Sequence, residues 1–323
     1  NLPPLPTGAT ELAQAIEGGA PVQIDMDALF DDPEDDPLTF DVSVNKPANA
    51  TVSAEGSVLT VTPLLRGDAV IEVTADDGTN APIATTFRVL IYPEAAALRH
   101  TGFTFSEWDP NHPENVYPAH MLFLQSDVDD PGADTPLLYP YYIAHDDYHA
   151  NDADKIGFPY QLTGRTRLNG LGDDGIAFIN TGRGRDLGGA LLAVDTRELQ
   201  VVHASWLAGT LLPNSRVYGI RLQYRTSLEA PFADVLVDGQ PVVYVRDAEG
   251  HTQTFGPVPL PEDALGQPYV QLMWRYHHIS GTSGARAQLR LDEIAVEAPV
   301  GSNQVVIGPG PAVGAGAMWS IDG

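Results

Sequence analysis

The sequence predicts an all-β protein made of two β-sandwiches, a smaller one followed by a larger. Three observations point there. Apolar residues recur with period two in short runs along most of the chain, Gly, Pro, Asn and Asp clusters separate the runs, and no long stretch carries the 3.6-residue period of an amphipathic helix. Gly 31 and Pro 27 make about 18% of the 323 residues, which suits many turns and stays below the composition of collagen or low-complexity chains. With 43% hydrophobic residues, a chain of this length holds about two domains, each with its own core.

Residues 1–20 open with NLPPLP, where three prolines remove backbone donors and favour extended structure, so this piece is expected as an N-terminal arm. Residues 21–95 carry the runs VQIDM, LTFDVSV, SVLTVTP, AVIEVTA and TTFRVLIY between turn residues. Roughly five to seven short strands in about 75 residues predict an immunoglobulin-like or cadherin-like sandwich.

The residues here also carry a family resemblance. Asp27-Ala28-Leu29-Phe30-Asp31-Asp32-Pro33-Glu34-Asp35-Asp36-Pro37-Leu38-Thr39-Phe40 resembles the F-x-D-P-D-G-D-x-L-T-Y signature of bacterial cadherin-like (dystroglycan-type) domains. Val73-Thr74-Ala75-Asp76-Asp77-Gly78, followed by Thr85-Thr86-Phe87-Arg88-Val89, resembles the closing strands of that family. Asp35 stands where the family has Gly. Cadherin-like domains often hold Ca²⁺ at such loops, so the resemblance implies a cation site here.

Residues 94–164 hold the acidic stretches EWDPNHPENVYP, SDVDDPGADTP and HDDYHANDADK, with FTF, HMLFL and LLYPYYI as strand candidates between them. Strand patterns then become plain: YQLTGRTRL, GIAFINT, GALLAVDT, LQVVHASWLA, VYGIRLQYRT, PVVYVRD, YVQLMWRYHHI and RAQLRLDEIAVE. About eight strands, several of them long, predict a jelly-roll β-sandwich over 100–297. Its phrases Leu162 to Gly175, Asn214-Ser215-Arg216-Val217-Tyr218 and Gly281 to Arg290 resemble an uncharacterised jelly-roll module of large exported proteins from Bacteroidota-like bacteria. Residues 298–323 are a Gly/Pro-rich C-terminal tail with two short β-capable pieces, NQVVI and AMWSI.

Charge restricts the partners. Seventeen basic against 43 acidic residues give a net charge of -26, which repels phosphate backbones and anionic membranes, so neither nucleic acid nor lipid is expected as a partner. No apolar run approaches the ~20 residues that span a bilayer, so no membrane insertion is expected. Fifteen of the 17 basic residues are Arg, from either a biased genome or a preference for rigid hydrogen-bonded pairs. Cys is absent, which excludes disulfides, thiolate metal sites and Cys nucleophiles. The chain begins at Asn1 with no charged or apolar leader, as expected of a mature exported form, so an extracellular or cell-surface location is expected.

Several residue groups could carry function. Asp31, Asp32, Glu34, Asp35 and Asp36, with Asp76 and Asp77 on a strand end nearby, offer the hard oxygen ligands that Ca²⁺ prefers. Asp127, Asp129, Asp130 and Asp134 form a weaker acidic candidate. His145 and His149 flank two carboxylates in a loop without the fixed scaffold a zinc site needs, and His277 and His278, as strand neighbours, point to opposite faces. Trp108, Tyr117, Tyr139, Tyr141, Tyr142 and Tyr148 lie in the acidic loops, and exposed rings beside carboxylates suit a sugar surface; Trp108, Tyr141, Tyr142 and Tyr148 are the candidates for it, whereas Trp206 and Trp274 are expected in the core. The G-x-S-x-G, H-E-x-x-H and P-loop motifs are absent and no G-x-G-x-x-G opens a helix, so no catalysis is expected.

Two functional classes remain. One is a structural subunit of an extracellular filament or surface assembly, in which copies of the chain join by strand addition through Leu2, Leu5, Val306, Ile307, Met318 and Trp319 in the terminal segments. The other is a carbohydrate-binding or adhesive module pair with a polysaccharide partner.

Overall fold

The computed structural model describes residues 1–8, 13–109, 116–125, 139–140, 165–181 and 188–299. In the N-terminal part, a three-stranded sheet in the order Val22–Asp25, Val58–Pro63, Ala50–Glu55 faces a four-stranded sheet in the order Ala13–Ile16, Ile83–Tyr92, Gly67–Asp76, Thr39–Val44. Period-two alternation explains the packing. Ile71, Val73 and Ala75 point inward with Leu59, Val61, Met26 and Val89, while Glu72 between them stays exposed.

The N-terminal segment differs from the extended arm expected over 1–20. Ala13–Ile16 pairs in parallel with Val89 to Tyr92, and Ala15 is buried in the first core. Leu5–Pro6 pairs with Phe30–Asp31. The proline-rich opening does remain extended, but AQAI supplies an edge strand with one apolar side, which the sheet accepts.

The larger part is a two-sheet sandwich of jelly-roll type. One sheet runs Tyr139–Pro140, Met121–Gln125, Gly188–Asp195, Val270–Ser280, Val217–Arg225, Ala233–Asp234, with Ala96–Ala97 and Val243–Val245 paired at its side. The other runs Arg165–Gly170, Ile176–Thr181, Gln288–Glu297, His203–Leu212, Thr252–Pro259, with Phe103–Phe105 beside Gln288–Glu297. Aromatic contacts bridge the two sheets: Trp206 meets Trp274 edge-on at 5.9 Å, and Phe178 stacks on Tyr276 at 5.8 Å. Trp206 and Trp274 are therefore core side chains, as expected.

The two parts share a strand. Along Ile83–Tyr92, Phe87, Val89 and Ile91 enter the first core, whereas Leu90 and Tyr92 enter the second. Polar contacts close the junction around Arg225, which donates from Nε to Gln271 Oε1 at 2.6 Å and from Nη1 to Leu228 O at 2.7 Å. Its guanidinium lies over the rings of Tyr92 and Phe232, 4.9 and 4.7 Å from their centroids. Tyr92 donates to Gln14 Oε1 at 3.0 Å, and Arg66 reaches both Glu17 Oε2 at 2.9 Å and Tyr117 O at 3.2 Å.

Candidate functional site

The acidic loop after Phe30–Asp31 is organised by its own backbone. Asp32, 8% exposed, accepts the N–H groups of Glu34 and Asp36 on Oδ1, both at 3.0 Å. Asp35 takes φ +59° at the position where the family has Gly, because Asp tolerates the left-handed region better than most residues. That turn gathers the carboxylates. Oxygens of Asp32, Glu34 and Asp36 lie within 4.8 Å of one another, an arrangement that could hold a metal ion. Asp32 Oδ2 is buried without a hydrogen-bond partner, and three carboxylates around an unfilled acceptor fit a hard cation such as Ca²⁺.

Asp31, Asp76 and Asp77 stand outside this group. Asp31 lies in the short strand paired with Leu5. Asp76 accepts Gly78 N at 2.7 Å, and Asp77 accepts Thr79 N at 2.8 Å and Asn80 N at 2.7 Å, so both close their own turn. Hydrogen bonds from Asn80, through its side chain and then its backbone, hold the Asp77 carboxyl below its ordinary range. The side chain of Asn1 bonds both Asp36 and Asn80, and Leu2 N donates to Glu34 Oε2 at 3.0 Å. The first residues thus lie against the acidic loop.

A second polar group lies on the large sheet, on the face opposite the one that Trp274 and Tyr276 present to the other sheet. Tyr218, Ile220 and Leu222 of one strand and Leu272, Trp274 and Tyr276 of its neighbour point into the core. Period two then places Arg221, Gln223, Arg275 and His277 together on the opposite face. This face continues into apolar Leu122, Leu124, Leu191 and Met273, all buried. Gln223, 3% exposed, donates from Nε2 to Asp234 Oδ1 at 2.8 Å, while its Oε1 is buried without a hydrogen-bond partner. Asp234 Oδ2 lies 3.6 Å from Arg221 Nη1. The Arg221 and Asp234 side chains keep partial exposure, whereas Gln223, Arg275 and His277 are buried.

His277 is 8% exposed, and burial lowers its pKa to about 4, with the charges of Arg221 and Arg275 adding to the effect. The imidazole is therefore neutral at pH 7. Gly219 makes room beside it, since a Cβ there would sit 2.7 Å from Tyr244 O and 3.3 Å from His277 Cε1. His278 points to the other face, against Tyr218, as alternation requires.

The sequence reading missed this group. Its signal is the spacing Arg221-x-Gln223-x-Arg225 beside Gln271-x-Met273-x-Arg275-x-His277, rows that are polar at period two except at Met273, on strands whose other face is apolar. Such a row reads as an ordinary solvated face until strand pairing places the two rows side by side.

The other expected residues fall as follows. Trp108 does not offer its ring to solvent: it is 6% exposed and packs edge-on against Phe123 at 4.7 Å, in the second core. The large ring of Trp gains more from that burial than from a loop surface. Tyr141, Tyr142 and Tyr148 lie outside the described residues, as do Asp127, Asp129, Asp130, Asp134, His145, His149, Val306, Ile307, Met318 and Trp319. Leu2 and Leu5 are 56% and 54% exposed. A separate cleft of about 540 Å³ is lined chiefly by apolar side chains, among them Leu199, Val202, Leu260 and Leu265. Among the described residues no helix is long and apolar enough to cross a membrane.

No family model and no curated relative matches the sequence. Solved structures with some likeness include one described as "CBM4 structure and function" (15% identity, 41% of this chain and 77% of that one, TM-score 0.28). Another belongs to a study of carbohydrate-binding modules from the β-sandwich superfamily (10% identity, 87% and 99% of the two chains, TM-score 0.25). A third is human protocadherin-24 EC1-2 (12% identity, 60% and 86%, TM-score 0.24). The chain spans only 14% of an endo-fucoidan hydrolase of glycoside hydrolase family 107 and 26% of a nucleoside hydrolase-related protein from Saccharophagus degradans. Likeness at this level goes no further than broad β-sandwich architecture.

Proposed function

We propose that this chain is a non-catalytic, extracellular carbohydrate-binding protein whose binding face is the polar side of the large sheet around Gln223. The observation that carries the reading is the Gln223 amide, buried and anchored through Nε2 to Asp234, with an acceptor oxygen that nothing fills. A buried unsatisfied acceptor costs about 1–3 kcal/mol, and a ligand hydroxyl would recover part of it. Sugar hydroxyls both donate and accept, so they suit a group that mixes Arg donors, a neutral His and an unsatisfied amide oxygen.

In the same reading the acidic loop takes Ca²⁺ at Asp32, Glu34 and Asp36 and stiffens the first sandwich. Assembly into filaments takes second place, since of its expected residues only the exposed Leu2 and Leu5 are described.

The test is affinity electrophoresis of the purified chain through a panel of soluble polysaccharides. At least one should retard it, and Gln223→Leu should remove the retardation with the melting temperature nearly kept. A panel that retards nothing would overturn the reading.

A further inference from the structure

We propose that residues 1–7 form the outer shell of the cation site, a strap whose amide groups position the Glu34 and Asp36 carboxylates for the ion; this rests on the Ca²⁺ reading of the acidic loop above. Each carboxylate of the triad is pinned by one of its oxygens. Asp32 Oδ1 accepts the N–H groups of Glu34 and Asp36 from within the loop. Glu34 Oε2 accepts Leu2 N at 3.0 Å, and Asp36 Oδ2 accepts Asn1 Nδ2, so these two are pinned from the strap. Among the described residues, the hydrogen bonds to the Glu34 and Asp36 side chains fall on those oxygens alone, and Asp32 Oδ2 is buried without a partner. One oxygen per carboxylate is thereby left for an ion, and oxygens of the three residues lie within 4.8 Å of one another.

The strap is laid against the segment that leads into the loop. Leu5 and Pro6 pair with Asp31 and Phe30, Thr7 N donates to Leu29 O at 3.0 Å, and Thr7 Oγ1 donates to Ala28 O at 3.0 Å. Pro4 is buried, but Leu2 and Leu5 are 56% and 54% exposed, so hydrogen bonds carry much of the hold. At its far end Asn1 Oδ1 accepts Asn80 Nδ2, which also donates to Asp77 Oδ2 at 2.7 Å and so links the acidic loop to the next turn. A carboxylate has room for about four hydrogen bonds or ligands, so an amide on one oxygen and a cation on the other are compatible. Hydrogen bonds to the ligating carboxylates fix their orientation, and losing such an outer-shell partner costs about 10–100-fold in metal affinity. Coupling is reciprocal, so an ion that is bound more tightly when the strap is docked also holds the strap down.

The experiment is calorimetric titration with Ca²⁺ of the wild type, Leu2→Pro, Asn1→Ala and Leu2→Ala. Leu2→Pro removes the N–H that Glu34 accepts while keeping the extended backbone, and Leu2→Ala keeps that N–H and trims an exposed side chain. Leu2→Pro and Asn1→Ala should each bind Ca²⁺ about tenfold more weakly, with the melting temperature in chelator nearly unchanged, and Leu2→Ala should bind as the wild type does. Hydrogen exchange followed by mass spectrometry gives the reciprocal measurement: Ca²⁺ should slow exchange at Leu2, Leu5 and Thr7 in the wild type and leave it unchanged in Asp32→Asn. If a strap variant fails to fold, judged by its thermal melt, the exchange result on the wild type decides. Wild-type affinity in both strap variants, or strap exchange indifferent to Ca²⁺ that does bind, would overturn the strap and leave the Ca²⁺ reading standing. A wild type with neither binding heat nor a melting shift in Ca²⁺ would overturn both.

Discussion

Leu90 and Ile91 are neighbours in sequence, yet their side chains belong to different hydrophobic cores, Ile91 to the first sandwich and Leu90 to the second. One strand is thus buried on both faces, and the two sandwiches meet across it. Each truncation should report on its own core. Ile91→Ala and Leu90→Ala should each cost about 2–5 kcal/mol. Hydrogen exchange followed by mass spectrometry should show protection lost first in Gly67–Asp76 for Ile91→Ala and first in Val270–Ser280 for Leu90→Ala; the same pattern for both would argue against two cores.

Arg225 ties the junction through Gln271, Leu228 and the rings of Tyr92 and Phe232. Arg225→Ala leaves the Gln271 and Leu228 oxygens without this donor and should cost about 3 kcal/mol. Urea denaturation should show the loss, and where the sandwiches uncouple, a single transition becomes two. An unchanged midpoint would mean that the guanidinium contributes little to the junction.

Ca²⁺ should raise the melting temperature, because an ion that binds only the folded loop stabilises it by mass action, about 2.7 kcal/mol at a hundred times its dissociation constant. Asp32→Asn keeps an oxygen to accept Glu34 N and Asp36 N but removes the charge, so it should abolish the shift. Asp77→Asn should leave it in place, since Asp77 closes its own turn. No response to millimolar Ca²⁺ in calorimetry would remove the cation from the loop.

His277 makes stability depend on pH in a known direction. Its folded pKa of about 4 lies below the ordinary value of 6.5, so between these pH values the unfolded chain binds the extra proton. The contribution is fully present above pH 6.5 and is lost as pH falls through about 4, with an upper bound on the order of 3 kcal/mol. Among the described residues, Arg221, Arg275 and Asp234 are charged groups acting on it. Comparing the wild type with His277→Gln by urea denaturation at pH 4.5 and pH 7 should show a smaller pH dependence in the variant; equal dependence would mean that His277 is not the titrating group.

Much of this was legible in the sequence because it is local. Period-two runs such as VLIY and QLMWRY mark strands wherever they pair, and Trp206 and Trp274 read as core from those runs alone. Asp32, Glu34 and Asp36 were also legible, because two-residue spacing around one turn brings their oxygens together without help from distant segments. Asp76 and Asp77 looked equivalent, but their own turn amides claim the carboxylates first. Other features depend on partners far along the chain. Which core receives Leu90, why Ala13–Ile16 becomes an edge strand, and why Trp108 is buried are settled by packing against residues that no short-range pattern identifies. The same holds for Arg221 beside Arg275, 54 positions apart: the sequence determined that each would point away from an apolar strand face, and only the register between the two strands, set by how both apolar rows fill one core, decided that they would lie side by side.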